Sequence, residues 1–173
     1  LSLHDALPIY KHGWRYDIVG QGMKINMADV NAAIGLAQIR QYENLLQERK
    51  RVFNTYAKAF ANSDWAITPP ATSGIKESSY HVYALRIKGI TEEQRDAIIQ
   101  EISKNEVAVN VHFIPMPMLT LFKGMGYDIK DYPQAYKNYA HEISLPVYPQ
   151  LTEEEVLFVA GTVIKAYETV IKK

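Results

Sequence analysis

The sequence contains no cysteine among its 173 residues. Disulfide bonds and thiolate metal sites are therefore excluded, and the composition fits a reducing compartment. Its five histidines are scattered along the chain and show none of the spacings that zinc sites use. The sequence therefore predicts no metal site.

The chain also lacks an excess of charge of either sign, since it has 19 basic and 19 acidic residues. Nucleic-acid binding needs clustered Lys and Arg to neutralise phosphates, so this balance argues against it. No apolar run approaches the roughly 20 residues that cross a bilayer, so we expect no membrane span. Cytoplasmic location is the default expectation.

What the sequence does have is the composition of a folded protein, with 47% hydrophobic and 22% charged residues. Apolar spacing and capping pairs predict an α+β fold in which helices cover a few strands. The expected elements are a long helix over 26–62, a strand over 80–87, a helix over 91–105, a strand over 107–114, a helix over 133–143 and a final helix after Thr152. Because two strands alone are only marginally stable, we expect a third strand near 143–147 or support from other polypeptide.

The first nine residues differ in character from the rest of the chain. Leu1–Ile9 has no basic start of the kind that signal peptides show, and Asp5 and Pro8 interrupt its apolar stretch. We expect residues 1–9 to be non-native or disordered sequence at a truncation junction.

Four short motifs follow one another along the chain. In the first, Gly22–Asn26 opens an alanine-rich helix that continues to Gln38 and Ile39. The other three are Tyr80–Tyr83, Val111–Pro115 and Ile143–Pro149, the last followed by Leu-Thr-Glu-Glu-Glu. Each motif is weak alone, but the four in this order resemble the DegT/DnrJ/EryC1/StrS family of sugar aminotransferases over about residues 11–171.

The resemblance implies the fold of type I pyridoxal-phosphate (PLP) transferases, a large cofactor domain followed by a small C-terminal one. On this basis residues 10–62 are the end of the large domain and a long linking helix, and residues 63–173 are the small α+β domain. Family members transfer an amino group, usually from glutamate, to a nucleotide-linked keto sugar, in polysaccharide or deoxysugar biosynthesis. The full-length protein is expected to be a homodimer.

The resemblance also concerns the cofactor. The lysine that binds PLP in the family lies upstream of the first motif, and no residue of this sequence matches it. A C-terminal fragment that is inactive alone and holds no catalytic residue is therefore expected. The position of Lys24 in the family lies on a loop that reaches the phosphate of the partner's PLP, and a lysine is a compact cation suited to that role. Asn26 either donates to the cofactor or only caps the helix, and the alternative for Lys24 is an exposed loop lysine.

The predicted substrate contacts lie at the second strand. His112 and Asn110 share one of its faces just before the break at Pro115, and ligand contacts are common where a strand meets a loop. In the family this His-aromatic-x-Pro segment lies at the substrate entrance, so the resemblance implies that His112, Asn110 and His81 contact the sugar nucleotide. The alternative for His112 is a ring whose hydrogen bonds are all made to backbone groups. The alternative for His81 is a position at the polar edge of the core.

Two other functions remain open on the sequence alone. A stand-alone α+β binding or dimerisation module predicts that residues 20–36 are well packed. The fragment hypothesis predicts exposed apolar surface there, and aggregation when the chain is expressed alone. A PLP-dependent sugar dehydratase of the same family differs only at the upstream lysine position.

Overall fold

The computed structural model of the protein describes residues 26–172. The described residues divide into two units, 26–44 and 45–172. Helix α1 extends over Asp29–Ala59, so the predicted long helix is present and slightly shorter than expected at both ends. The domain limits predicted above, 10–62 and 63–173, stay a prediction. None of the helices in the described part is both long and apolar enough to cross a bilayer.

A three-stranded antiparallel sheet lies in the second unit, with the strand order β1-β4-β5. Its strands are β1 (Ala66–Ile67), β4 (Tyr83–Ile87) and β5 (Glu142–Leu145). The expected third strand is therefore present as β5, and the predicted strand over 80–87 begins only at Tyr83. His81 accordingly lies before the strand and is exposed, whereas Tyr83 is buried.

The strand predicted over 107–114 is wrong as a continuous strand. Only Asn110 pairs with the sheet, through an isolated antiparallel bridge to Ser144 on β5. The alternation of apolar and polar residues is present in the sequence, but a strand also needs a partner along its length. β5 has only four residues and is followed by Pro146, which donates no backbone hydrogen bond, so it cannot pair with the whole segment.

A two-stranded hairpin lies between β1 and β4 along the chain. It consists of β2 (Thr72–Ser73) and β3 (Lys76–Glu77), which are joined by a two-residue turn. Gly74 takes the first central position of that turn with φ +59°, a conformation that L side chains disfavour. Gly74 therefore permits the tight turn that joins β2 to β3.

Four further α-helices belong to the second unit. Helix α2 (Glu92–Ser103) and helix α5 (Glu153–Ile171) pack against each other. Both predicted capping boxes are present, with Thr91 paired to Gln94 and Thr152 paired to Glu155. Helix α4 (Pro133–His141) begins at proline, as predicted, and runs directly into β5. Between α2 and α4 lies the short helix α3 (Thr120–Gly124).

The core of the second unit lies between the sheet and its helices. Tyr83, Leu85 and Ile87 of β4 are fully buried, as the alternation along this strand predicts. The C-terminal part of α1 supplies aromatic side chains to the same core, and the Phe53 ring packs edge-on against Tyr83 with 4.7 Å between centroids. Helix α5 closes the core with Val156 and its neighbours. This packing fixes the position of β5, whose polar residues face the clefts described next.

Candidate functional site

A cleft of about 440 Å³ lies along β5 and the segment that bridges to it. It is lined by His81, Asn110 and His112, the three residues predicted to contact substrate, together with Ser144 and Pro146. The volume is in the range of small-molecule sites. The structure therefore brings the three residues together, although the strand expected to carry two of them is absent.

Backbone pairing positions Asn110 and Ser144. The Ser144 amide donates to the Asn110 carbonyl at 2.7 Å, and the Asn110 amide donates to the Ser144 carbonyl at 3.2 Å. The Asn110 side chain turns back on its own segment, since its Oδ1 accepts from the Val111 amide at 2.8 Å. The side-chain NH₂ of Asn110 can still donate two hydrogen bonds.

A chain of hydrogen bonds joins Glu142, Ser144 and His112. The Ser144 hydroxyl lies 2.8 Å from His112 Nδ1 and donates to Glu142 Oε1. The other carboxylate oxygen, Glu142 Oε2, accepts from the His112 amide at 3.0 Å. Glu142 and Ser144 are 5% and 4% exposed, whereas His112 is exposed. Two buried polar groups thus hold an exposed imidazole at the wall of the cleft.

The buried Arg95 of α2 fixes the start of β5. It is 1% exposed, and its Nη1 donates to the carbonyls of Tyr139 at 2.8 Å and Glu142 at 3.3 Å. Its Nε pairs with Asp96 at 2.7 Å, so the buried cation has a partner. Arg95 therefore anchors the backbone of Glu142 where α4 ends.

Helix α1 holds the opposite end of the cleft wall. The Tyr56 hydroxyl donates to the Pro146 carbonyl at 3.1 Å. Arg51 Nη2 donates to the carbonyls of Leu151 at 2.8 Å and Pro149 at 3.4 Å. Because these residues satisfy carbonyls of a segment that is not helical or paired, they hold the chain after β5 in one conformation.

His112 also lines a second cleft, of about 390 Å³, together with Arg86, Asn138 and Glu142. Arg86 Nη1 donates to Asn138 Oδ1 at 2.8 Å. The Phe113 ring packs edge-on against the imidazole, with 4.5 Å between centroids. His112 therefore stands between two clefts and is restrained on one side by an aromatic ring.

The two residues predicted to bind the cofactor are placed differently. Lys24 lies outside the described residues. Asn26 is described, precedes the first residue of α1 and is exposed. The 440 Å³ cleft has no lysine or arginine among its lining residues, so this cleft supplies no cation for a phosphate and no amine for a covalent bond to PLP. The residues that line it therefore do not form a PLP site by themselves.

Three residues of the site were missed by sequence reasoning. Glu142 and Ser144 alternate with Ile143 and Leu145, and all four are buried in β5. A polar residue at every second position of a short buried strand is a signal of a hydrogen-bonded network, because buried polar groups need partners. Arg95 gives no such signal, since charged residues in helices are mostly exposed.

Comparison with known proteins shows the family. The model of the DegT/DnrJ/EryC1/StrS aminotransferase family matches residues 5–164, and the chain belongs to this family. The chain is 28% identical to the spore coat polysaccharide biosynthesis protein SpsC of Bacillus subtilis, over 92% of this chain and 40% of that protein. It is 25% identical to the UDP-4-amino-4,6-dideoxy-N-acetyl-β-L-altrosamine transaminase of Campylobacter jejuni, over 95% of this chain and 43% of that one.

The fold matches the same family. A PLP-form structure of Spr1654 from Streptococcus pneumoniae, named as a sugar aminotransferase, superposes with a TM-score of 0.82 at 40% identity. The match covers 91% of this chain and 40% of that one. The predicted α+β fold class, that of part of a type I sugar aminotransferase, is confirmed. The chain spans about 40% of the length of the curated relatives it matches.

Proposed function

We propose that the chain is the C-terminal part of a PLP-dependent aminotransferase that transfers an amino group from glutamate to a nucleotide-linked keto sugar. Membership of the sugar aminotransferase family supports the reaction class. The name of the Campylobacter relative supports a nucleotide sugar as the substrate class. We further propose that the full-length protein is a cytoplasmic homodimer that serves polysaccharide or deoxysugar biosynthesis, which the name of the Bacillus relative supports.

The observation that carries this proposal is the meeting of His81, Asn110 and His112 in one cleft. Imidazole and amide groups are hydrogen-bonding groups that suit sugar hydroxyls, and they stand beside the apolar walls formed by Val109 and Pro146. In this proposal the described residues bind and orient the sugar. Cofactor contacts come from Lys24 and from polypeptide outside this chain, so we derive no step of cofactor chemistry from the described residues.

The surface of α1 supports a fragment over a stand-alone module. Val30 and Ile39 are 71% and 73% exposed, and Ile34 is 57% exposed. Several exposed apolar side chains on one helix indicate a surface that other polypeptide covers. The chain expressed alone is therefore expected to aggregate, and substitution of Val30 and Ile34 by Lys is expected to reduce the aggregation.

The reaction class is tested on the full-length protein. We expect the purified protein to carry a PLP absorbance band that glutamate bleaches and that a keto acceptor restores. The amino transfer is measured in the reverse direction, with UDP-4-amino-4,6-dideoxy-N-acetyl-β-L-altrosamine as the amino donor and 2-oxoglutarate as the acceptor. A full-length sequence without a PLP-binding lysine would contradict transamination and favour the dehydratase alternative.

The substrate contact is tested separately with His112→Gln in the same protein. Loss of one substrate hydrogen bond is expected to raise KM about tenfold, with a smaller change in kcat. The matched control is His141→Gln, because His141 lies on α4 and does not line the cleft. Equal KM values for the two variants would remove His112 from the substrate site and leave the reaction class untouched.

A further inference from the structure

The hydrogen bonds around His112 determine which of its ring nitrogens carries a hydrogen. Glutamate at neutral pH is ordinarily a carboxylate, which only accepts hydrogen bonds. Glu142 Oε2 accepts the His112 amide, and Oε1 accepts the hydroxyl hydrogen of Ser144. Because Ser144 has one hydrogen and has donated it, its oxygen faces His112 Nδ1 as an acceptor. In the neutral imidazole, Nδ1 therefore carries the hydrogen, which leaves the lone pair on Nε2.

The free nitrogen is available to a ligand. Among residues 26–172, no group bonds to His112 Nε2, and the imidazole borders both the 440 Å³ and the 390 Å³ cleft. The ring is held at Nδ1 by Ser144 and along one edge by Phe113. An imidazole fixed in this form presents Nε2 as a hydrogen-bond acceptor in a defined direction.

We propose that Glu142 and Ser144 are positioning residues that select the Nδ1–H form of His112, so that Nε2 accepts a hydrogen bond from a hydroxyl of the bound sugar. The proposal rests on the proposed function for the identity of the ligand. It adds that this site requires a hydrogen-bond donor on the sugar. A sugar with only an acceptor opposite Nε2 is expected to bind more weakly. Neither Glu142 nor Ser144 contacts the ligand hydroxyl in this arrangement.

Substitutions of the two residues have different and specific consequences. Ser144→Ala removes the hydroxyl but leaves the backbone pairing of Ser144 with Asn110 and Ala84 in place. Glu142→Gln gives the more specific test. The introduced glutamine side chain has one oxygen, and the backbone N–H of His112 donates to it. The introduced NH₂ then donates to Ser144, Ser144 donates to Nδ1, and the hydrogen of the imidazole moves to Nε2. This variant therefore turns the ligand-facing nitrogen from an acceptor into a donor.

The tautomer is measured by two-bond ¹H–¹⁵N correlation spectra of the full-length protein labelled with ¹⁵N-histidine, with His112 assigned by His112→Gln. In the unmodified protein we expect Nε2 to resonate as the nitrogen without a hydrogen. Glu142→Gln is expected to reverse the assignment of the two nitrogens, and Ser144→Ala to produce a mixture. Thr55→Val is the control, since it removes a buried hydroxyl whose one bond within residues 26–172 is to the Arg51 carbonyl of its own helix.

The functional arm uses the same variants and the amino sugar nucleotide named above. Glu142→Gln is expected to raise KM about as much as His112→Gln does. Ser144→Ala is expected to raise KM less, because part of its population keeps Nε2 as an acceptor, and Thr55→Val is expected to leave KM unchanged. Unaltered Nδ1 and Nε2 resonances in both Glu142→Gln and Ser144→Ala would overturn the proposal. A different outcome is that the resonances change in Glu142→Gln and Ser144→Ala but KM is unchanged in these variants and in His112→Gln. This result would support the positioning role and contradict the substrate contact assigned to His112 under the proposed function. Should Ser144→Ala fail to fold, Glu142→Gln decides alone, because it keeps the shape of the side chain.

Discussion

Tyr56 and Tyr83 lie in the core with 4.9 Å between their ring centroids, but within residues 26–172 only the Tyr56 hydroxyl has a hydrogen-bond partner. Both side chains are fully buried. Burial raises the pKa of both hydroxyls above the usual value for tyrosine, with smaller contributions from Tyr148 and Tyr83 in the case of Tyr56. Each hydroxyl therefore keeps its hydrogen. The buried hydroxyl stabilises the fold only when that hydrogen has an acceptor.

Tyr56→Phe is expected to lower the free energy of unfolding by about 1 kcal/mol, because it removes the hydrogen bond to the Pro146 carbonyl. The measurement is urea denaturation followed by circular dichroism, compared at equal m-values. Tyr148→Phe serves as the control, since Tyr148 is exposed and its change is expected to stay within about 0.5 kcal/mol. Equal midpoints for the two variants would contradict the assigned role of Tyr56.

Tyr83→Phe is expected to have the opposite sign. The Tyr83 hydroxyl is buried and bonds to no other group of the described chain, and an unsatisfied buried hydroxyl costs about 1–3 kcal/mol. Its removal is expected to raise the free energy of unfolding by about 1 kcal/mol in the same urea experiment. A loss of stability similar to that of Tyr56→Phe would show that the Tyr83 hydroxyl is bonded, and the prediction would fail.

The features that could be predicted from the sequence are those that depend on neighbours along the chain. The capping boxes of Thr91 and Thr152 need a residue only three positions away, and both are present. The helix that begins at Pro133 depends on the fixed φ of proline. The burial of β4 follows from alternation, which is also a local property.

The features that could not be predicted depend on contacts between distant residues. The segment 107–114 alternates as a strand should, but its partner β5 is too short to pair with more than Asn110. The hydrogen-bond chain through Glu142, Ser144 and His112 joins residues about 30 positions apart, so the spacing of Glu142 and Ser144 signals a network but does not identify His112 as its partner. His112 could be named from its motif, whereas the groups that orient it required the fold.

A surface cluster next to His81 is expected to make stability depend on pH. Glu77 Oε1 accepts from the Tyr80 hydroxyl at 2.9 Å and lies 3.2 Å from Lys50 Nζ. The hydrogen bond from Tyr80, followed by the Lys50 ammonium, lowers the pKa of Glu77 below 4.5. The cluster holds the side chain of Tyr80, which has φ +53° and immediately precedes His81. Loss of the Glu77 charge therefore affects one wall of the cleft.

Glu77→Gln tests this cluster through the melting temperature as a function of pH. A carboxylate whose pKa is lowered by folding contributes stability above its unfolded pKa, and the contribution is lost as the pH falls through the folded pKa. The unmodified protein is therefore expected to melt above the variant at pH 7, with the difference vanishing as the pH drops below 4.5. Glu106→Gln is the control, because Glu106 is exposed and forms no ion pair within residues 26–172. A difference between Glu77→Gln and the unmodified protein that does not change with pH would contradict the prediction.

Arg95→Lys is expected to lower the free energy of unfolding by about 2 kcal/mol, because a single ammonium cannot serve the carbonyls of Tyr139 and Glu142 and the Asp96 carboxylate together. Urea denaturation measures the loss. Arg86→Lys provides the matched control, since Arg86 makes one exposed hydrogen bond to Asn138 and should lose less than about 1 kcal/mol.

Arg95 also holds the backbone of Glu142, so Arg95→Lys is expected to loosen the contact between Ser144 and His112 Nδ1. A histidine spectrum of Arg95→Lys identical to that of the unmodified protein would limit Arg95 to stability and exclude it from the orientation of His112.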